Sequence, residues 1–562
     1  MTEHPRRLGA GILAAALLVA LAACGGIPTS GSVRAGDPFT DEPIGDFVFI
    51  PVGPTKDADQ QGILDGFIAA FTGPQGDYAT AREFLSSDFK KDWDPRQSVL
   101  IRTGVPTFRT IDATTMEYSF TATAQLDQFG AYTTGTPATQ ALQFQFVEEN
   151  GQWRISQAPP GIVLAESTFL TIFSKHALYF YDLSLQYLVP DERWFPGGTT
   201  ATRVVSALLA GPPDWLKGAV VSQFPDGTRL MPGTTVTIDS TVAQVDLTTE
   251  AAAADERQRR LMQLQLAESL SSVSGIASVE VSVAGSLLSI ASGGSDIPVA
   301  QRAVDSRPLV LAGGEFGYLS GGEITPIDQL SAKVQALEPS AATVGAHGTA
   351  AAVLAPGGVY VARTTQAPAL LVDDRAGLIA PSFDDFGYTW SVPAHDPDAI
   401  VAFDFEGNAH PVAVSLPAGA TIVSLDVSLD NSRVAMLLQS AAGPRLLVAA
   451  ILRDPAQGYI PTSIGAPVID ALIASETAVD ATWVDRFSVA TLTSTDSDAF
   501  VASYEIGGLE VSLGRPAPAV AIVGGNGRTG LRVLTSDKLL QTPRGSSWQS
   551  TSATVDIIAT QR

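Results

Sequence analysis

The chain has 562 residues and a formal net charge of −24, with 34 Lys and Arg against 58 Asp and Glu. At roughly 100–200 residues per domain that length holds three or four domains. A composition of 45% apolar and 16% charged residues excludes wholesale disorder. The acid excess argues against nucleic acid as a partner, because phosphate contacts need clustered Lys and Arg. A single cysteine, Cys24, excludes an intramolecular disulfide and any zinc site built on several cysteines.

Arg6 and Arg7 precede an uninterrupted small and apolar run over residues 8–23, which ends Leu21-Ala22-Ala23-Cys24-Gly25. A basic stretch before an apolar one, shorter than the ~20 residues of a comfortable span, predicts a signal peptide over residues 1–23. The small residues before Cys24 resemble the bacterial lipobox, in which the cysteine is acylated and becomes the first mature residue. That resemblance implies an S-diacylglycerol and an N-palmitoyl group on Cys24. Several acyl chains make a durable anchor where a single chain is marginal. No later stretch reaches about 18 consecutive apolar residues, so the body is expected outside the cytoplasm, tethered to the membrane. Residues 24–56, with Gly, Pro, Ser, Thr and Asp and little periodicity, read as the lipidated end and a flexible tether.

From about Asp57 the spacing turns helical. Ile63, Leu64, Phe67, Ile68 and Phe71 share a face that Gly73-Pro74 closes, and a second short helix carries Tyr78, Ala81 and Leu85. The period then falls to two, with Met116, Tyr118, Phe120, Ala122, Ala124 and Leu126 on one face of a strand. Leu142, Phe144 and Phe146 lead through Asn150-Gly151, the favoured type I′ pair, into Trp153 and Ile155. Helices followed by antiparallel strands predict an α+β domain over residues 57–165. Its Asn150 to Ile155 ending resembles the last hairpin of nuclear-transport-factor-2-like (NTF2-like) cones. Enzymes with that fold use a His and Asp pair inside the cone; here His4 is the sole histidine before Leu170, so a non-catalytic domain is expected.

A strand pair over 177–182 and 186–190, around a turn at 183–185, opens the next unit. Thr199 or Thr200 is placed to cap a helix marked by Ala201, Val204, Val205, Leu208 and Leu209 and stopped by Gly211-Pro212-Pro213. Strands over 235–239 and 241–247 follow. A long helix over 251–273, with Met262, Leu266, Leu270 and Val273 on one face, and a strand over 278–283 complete a second α+β domain, residues 175–292. The Thr202 to Pro212 stretch, with the 242–248 strand, resembles the GerMN domain of bacterial envelope and spore proteins.

From about Arg307 the helical signal disappears, leaving short apolar runs between turn residues. A polar turn residue followed by an apolar strand recurs at His347, Asp385, Asp430, Asp485 and Asn526, at intervals of 38, 45, 55 and 41 residues. Spacings of this size suit one four-stranded propeller blade, so residues 305–562 are expected to form a β-propeller of about six blades, with a pair of β-sandwiches as the alternative. Trp390, Trp483 and Trp548 are expected in blade cores or turns. Residues 428–435, Ser-Leu-Asp-Asn-Ser-Arg-Val-Ala, resemble the Ser-Pro-Asp-Gly motif of TolB-type propellers, without its Pro and Gly.

Catalytic motifs are missing from the sequence: there is no Gly-x-Ser-x-Gly, His-Glu-x-x-His, Walker loop or EF-hand loop, and the five histidines are widely scattered. The Gly525 to Gly530 segment has the Gly-x-Gly-x-x-Gly spacing, but Leu531 to Leu534 after it reads as a strand where a dinucleotide site needs a helix. It is expected to be a propeller turn. The Asp373-Asp374 pair reads as solvated surface carboxylates rather than a cation site or a base. No catalytic, cofactor-binding or metal-binding residue is therefore expected, and the protein is not expected to be an enzyme.

The order of lipobox, cone-like domain, GerMN-like domain and propeller is similar to that of the actinobacterial lipoprotein LpqB family. That resemblance implies an accessory lipoprotein at the outer face of the cytoplasmic membrane, associated with the extracellular domain of the sensor histidine kinase MtrB. Through it the lipoprotein would influence the MtrA response regulator, cell-envelope homeostasis and division. Two alternatives stay open: a cell-wall or small-ligand-binding envelope protein, and a structural envelope-assembly factor.

Overall fold

Asp59 caps helix α1 (Gln60–Ala69), its carboxylate accepting the Gly62 N–H at 2.8 Å. The computed structural model describes residues 50–290, 298, 303–345 and 348–562; the 1–23 segment, Cys24, most of the 24–56 stretch and His347 lie outside the described residues. Ile63, Leu64, Phe67 and Phe71 are buried on the face their spacing predicts, and Ile68 packs at its edge. The second helix, α2 (Gln75–Arg82), departs from expectation. Residues 76–78 adopt positive φ, and Leu85 is outside the helix, bridging Ile155 in parallel. Its spacing from Ala81 reflects burial in a common core rather than a shared helical face.

The first domain's sheet comprises β1 (Ser98–Thr110), β2 (Thr115–Asp127), β3 (Tyr132–Glu149), β4 (Gln152–Gln157) and β5 (Ile162–Ala165), in the order β4-β3-β2-β1-β5. All neighbours are antiparallel except β5, which runs parallel to β1. The β2 alternation is as predicted, and Asn150 and Gly151, at φ 55° and 72°, make the two-residue turn between Glu149 and Gln152. Strand β1 was not predicted, because Gly104 and Pro106 sit inside it. The structure absorbs them in a register shift between Thr103 and Thr107. Phe67, Phe71, Tyr78, Trp93 and Phe144 form the aromatic centre of this core, with ring centroids 4.8–6.5 Å apart.

Helix α3 (Glu166–Ile172) leads straight into β6 (Phe173–Asp182), which pairs with β7 (Leu188–Pro196) and with β8 (Val220–Val221). The turn between β6 and β7 extends through Tyr187, past the predicted strand start at 186. The Asp182 carboxylate accepts the N–H groups of Ser184, Gln186 and Tyr187 at 2.7–3.0 Å and holds all three in the turn. Helix α4 (Thr200–Leu209) is where predicted, with Thr199 at the N-cap position. Neither threonine caps a helix N–H: the Thr199 hydroxyl accepts from Arg203 Nε at 3.2 Å, and the Thr200 hydroxyl donates to the Pro196 carbonyl.

Strands β9 (Thr237–Asp239), β10 (Val242–Leu247), β11 (Ser278–Val283) and β12 (Ser286–Leu287) form a second sheet, ordered β12-β11-β10-β9. The parallel β10–β11 pair is connected through helix α5 (Glu256–Leu270). That helix is shorter than the predicted 251–273. Asp255 caps it by accepting the Gln258 N–H at 2.8 Å, and Thr249–Ala253 is a 3₁₀ turn. Met262, Leu266 and Leu270 are buried toward the core as expected.

The described residues beyond 308 form six four-stranded blades. Blade 1 joins Leu309–Ala312, Glu315–Ser320 and Glu323–Thr325 to the inner strand Ile557–Gln561. The inner strands of blades 2 to 6 are Ala341–Val344, Ser382–Phe383, Thr421–Val427, Thr477–Trp483 and Ala519–Val523. Each inner strand touches the next, and Ile557–Gln561 touches both Ala519–Val523 and Ala341–Val344, so the six close into a ring. The propeller therefore replaces the sandwich alternative. One short helix, α6 (Ser331–Gln335), lies in the stretch read as free of helix. Trp390 and Trp483 are 1% exposed inside blades, and Trp548 is half-buried on blade 6.

Candidate functional site

Four of the five recurring polar residues of the propeller, those among the described residues, occupy one structural position. Asp385, Asp430, Asp485 and Asn526 each lie in the turn from the first to the second strand of blades 3, 4, 5 and 6. In blade 4 the turn is closed by its own side chains: Asp430 Oδ1 accepts from the Ser428 hydroxyl at 2.7 Å and the Ser432 N–H at 3.0 Å, and Ser428 Oγ accepts the Arg433 N–H at 3.1 Å. Asn431, at φ 63°, stands where the related motif has Gly, which suits asparagine's tolerance of the left-handed region. The Arg433 guanidinium pairs with the Asp430 carboxylate and lies over the Trp483 ring, 4.8 Å from its centroid.

The neighbouring turns are built differently. Asp485 Oδ1 accepts the Phe487 and Ser488 N–H groups at 2.8 and 3.0 Å. In blade 6, Gly525 and Gly527 both donate to the Val484 carbonyl, while Asn526 exchanges hydrogen bonds with the backbone of Val304 at 3.1 and 2.8 Å. A 3₁₀ turn, Arg528–Gly530, and the strand Arg532–Thr535 follow. The glycine spacing is thus a propeller turn, as expected.

The turns of blades 4, 5 and 6 and the β6–β7 turn of the second domain line a cleft of about 400 Å³. Leu188 lines it from the second domain; Leu429, Asp430, Arg433 and Phe487 line it from the propeller. Tyr187 fixes one wall by donating its phenolic hydrogen to Asp385 at 2.9 Å. Arg486 lies over the Tyr179 ring, 4.9 Å from its centroid, and burial pushes the Tyr179 phenol up to about 12.

The domains around the cleft share cores. Ala450 belongs to the second domain's hydrophobic cluster and Leu452 packs against it, although both sit on the third strand of blade 4. Trp194 Nε1 donates to the Gly507 carbonyl at 2.7 Å, and the Lys175 ammonium pairs with Glu505. Beside that pair Glu192 is largely buried. Desolvation, and then the Glu505 carboxylate, raise it to about 9, so it holds its proton at neutral pH.

The other sequence candidates lie elsewhere. Asp373 is not a solvated carboxylate: its side chain is 2% exposed, paired with Arg375 at 2.7 Å and accepting from the Ser391 hydroxyl, while Asp374 is exposed. His176 lies 2.9 Å from the Ser272 hydroxyl, His410 lies 3.4 Å from Asp404, and His395 is exposed. Cys24, the predicted lipidation site, is outside the described residues. Arg433, Trp194 and Glu192 went unmarked in the sequence. For Arg433 the TolB-like motif was the available signal; for Trp194 and Glu192 there was none, since their partners lie more than 300 residues along the chain.

No helix among the described residues is long and apolar enough to cross a membrane. Residues 53–170 match the family model described as Lipoprotein LpqB, N-terminal domain, and residues 314–557 match Lipoprotein LpqB beta-propeller domain. Residues 177–289 match the model described as Sporulation and spore germination. The chain is 29% identical over 297 residues to Lipoprotein LpqB of Cutibacterium acnes, covering 53% of this chain and 50% of that relative, so it spans about half of that relative's length. It is 24% identical over 552 residues to Lipoprotein LpqB of Thermobifida fusca, covering 82% of this chain and 85% of that protein. Among solved structures, the first GerMN domain of the sporulation protein GerM from Bacillus subtilis aligns at 22% identity and a TM-score of 0.18, covering 23% of this chain and 94% of that one. With both LpqB-specific domain models matched on either side of a GerMN-type domain, the chain belongs to the actinobacterial lipoprotein LpqB family.

Proposed function

We propose that the chain is an extracytoplasmic lipoprotein, anchored through acylated Cys24, that acts without catalysis as an accessory modulator of an MtrB-type sensor histidine kinase in envelope homeostasis and division. Family membership carries this reading: relatives bear the lipoprotein name, and the lipobox-like residues before Cys24 supply the attachment point. The shared cores between domains also support it, because a body whose parts pack on one another can pass a contact at one surface to another. The acid excess keeps that body off an anionic lipid surface and leaves the acyl chains as its hold. The test has two arms. The full chain should retain the kinase's extracellular domain in a pull-down; retention of cell-wall fragments without the kinase domain defeats the reading. Cys24→Ala should abolish palmitate labelling and release the protein from the membrane fraction; continued labelling defeats the anchor.

A further inference from the structure

Arg433 is 0% exposed, yet two parts of its guanidinium, Nε and Nη1, have no hydrogen-bond acceptor among the described residues. Its third nitrogen pairs with Asp430. A buried, permanently charged group with idle donors is costly unless something accepts from them. This one lines the cleft of about 400 Å³ between the propeller turns and the second domain.

The other polar groups of the cleft are committed. Asp430 holds Ser428, Ser432 and Arg433; Asp485 holds the backbone of its own turn; Asn526 holds Val304; and Tyr187 donates to Asp385. Two arginines, Arg433 and Arg486, face two aspartates, Asp430 and Asp485. The cleft is charge-balanced, so it suits one added negative charge better than a dianion. Leu188, Leu429 and Phe487 supply apolar surface beside Arg433.

We infer that this cleft binds a small organic monocarboxylate, its carboxylate accepting from Arg433 and its apolar body lying against Leu188, Leu429 and Phe487. Ionised oxygen acceptors make the strong hydrogen bonds that guanidinium donors favour. The site goes beyond the kinase-modulating reading and stands whether or not that reading holds.

Titration calorimetry on the full chain in detergent, at constant ionic strength, tests it with benzoate, benzamide and inorganic phosphate as probes. Benzoate should bind saturably at one site. Benzamide, the same shape without the charge, should bind at least tenfold more weakly, about 1.4 kcal/mol. Arg433→Met should weaken benzoate by at least the same factor. Should that variant fail to fold, Leu429→Trp fills the cleft while leaving the Arg433–Asp430 pair in place, and it too should lose benzoate. Absent benzoate binding, equal binding of benzamide, a preference for phosphate, or undiminished binding in the Leu429→Trp variant each overturns the assignment.

Discussion

The indole of Trp194 and the carbonyl of Gly507, 313 residues apart, are joined by a hydrogen bond of 2.7 Å. The same ring packs against Tyr132 and Phe169 of the first domain and α3, with centroids 6.0 and 4.8 Å away, and the backbone N–H of Trp194 donates to the Gly130 carbonyl at 2.9 Å. One residue of the second domain therefore touches both of its neighbours.

Trp194→Ala should cost about 3–5 kcal/mol, the range for emptying a buried aromatic site. It should also split a single calorimetric unfolding transition into separate ones. Trp194→Phe keeps ring packing and leaves the Gly507 carbonyl without its donor, for a cost of about 1 kcal/mol. An undivided transition in Trp194→Ala would contradict the coupling.

Glu192 makes stability depend on pH. Folded, it keeps its proton up to about 9; unfolded, it releases it near the ordinary 4.5. Between those values the folded state binds more protons, so this group lowers stability as pH rises from about 4.5 to about 9, after which its effect is constant. Glu192→Gln retains a neutral hydrogen-bonding group. It should raise stability at pH 8 by at least about 1 kcal/mol and change little at pH 4. Denaturant titrations at the two pH values check this, and an equal effect at both would refute the assignment.

Asp430 is the counter-charge of buried Arg433. Asp430→Ala strands that cation and opens the turn, and should cost about 3–5 kcal/mol. Asp430→Asn keeps an acceptor for Ser428 and Ser432 and should cost less. Urea unfolding midpoints distinguish the two.

Gly507 sits at φ 76°, and a Cβ there would lie 2.8 Å from the Glu192 carbonyl oxygen. Gly507→Ala should therefore destabilise by more than about 1 kcal/mol through backbone strain and a forced retreat of β7. Gly135→Ala, in a position with nothing within 4 Å, should stay within about 0.5 kcal/mol of the parent in thermal unfolding.

Local features were legible in the sequence. The α1 face, the Asn150-Gly151 turn and the β2 alternation each depend on neighbours within a few residues. The propeller repeat was legible too, although its intervals were uneven. The 55-residue gap from Asp430 to Asp485 reflects the long outer strands of blade 4, Gly443–Asp454 and Ile460–Leu472. Strand β1 was hidden by its Gly and Pro, and the 251–273 helix was overextended because Asp255 looks like any surface acid until it caps. The cleft could not be read at all. Its walls come from turns that meet only after the ring closes, and the idle donors of Arg433 have no counterpart in residue spacing.

Blade 1 combines strands from residues 309–325 with an inner strand from residues 557–561. A ribosome delivers the first three strands more than 200 residues before the fourth, so the ring stays open through most of its own synthesis. Blades 2 to 6 have all their strands contiguous and are free to form in passing. The closing event is a long-range pairing of the kind that sets slow folding, and a nascent chain stopped before residue 557 retains an unpaired edge on blade 1, ready to capture a strand from another molecule.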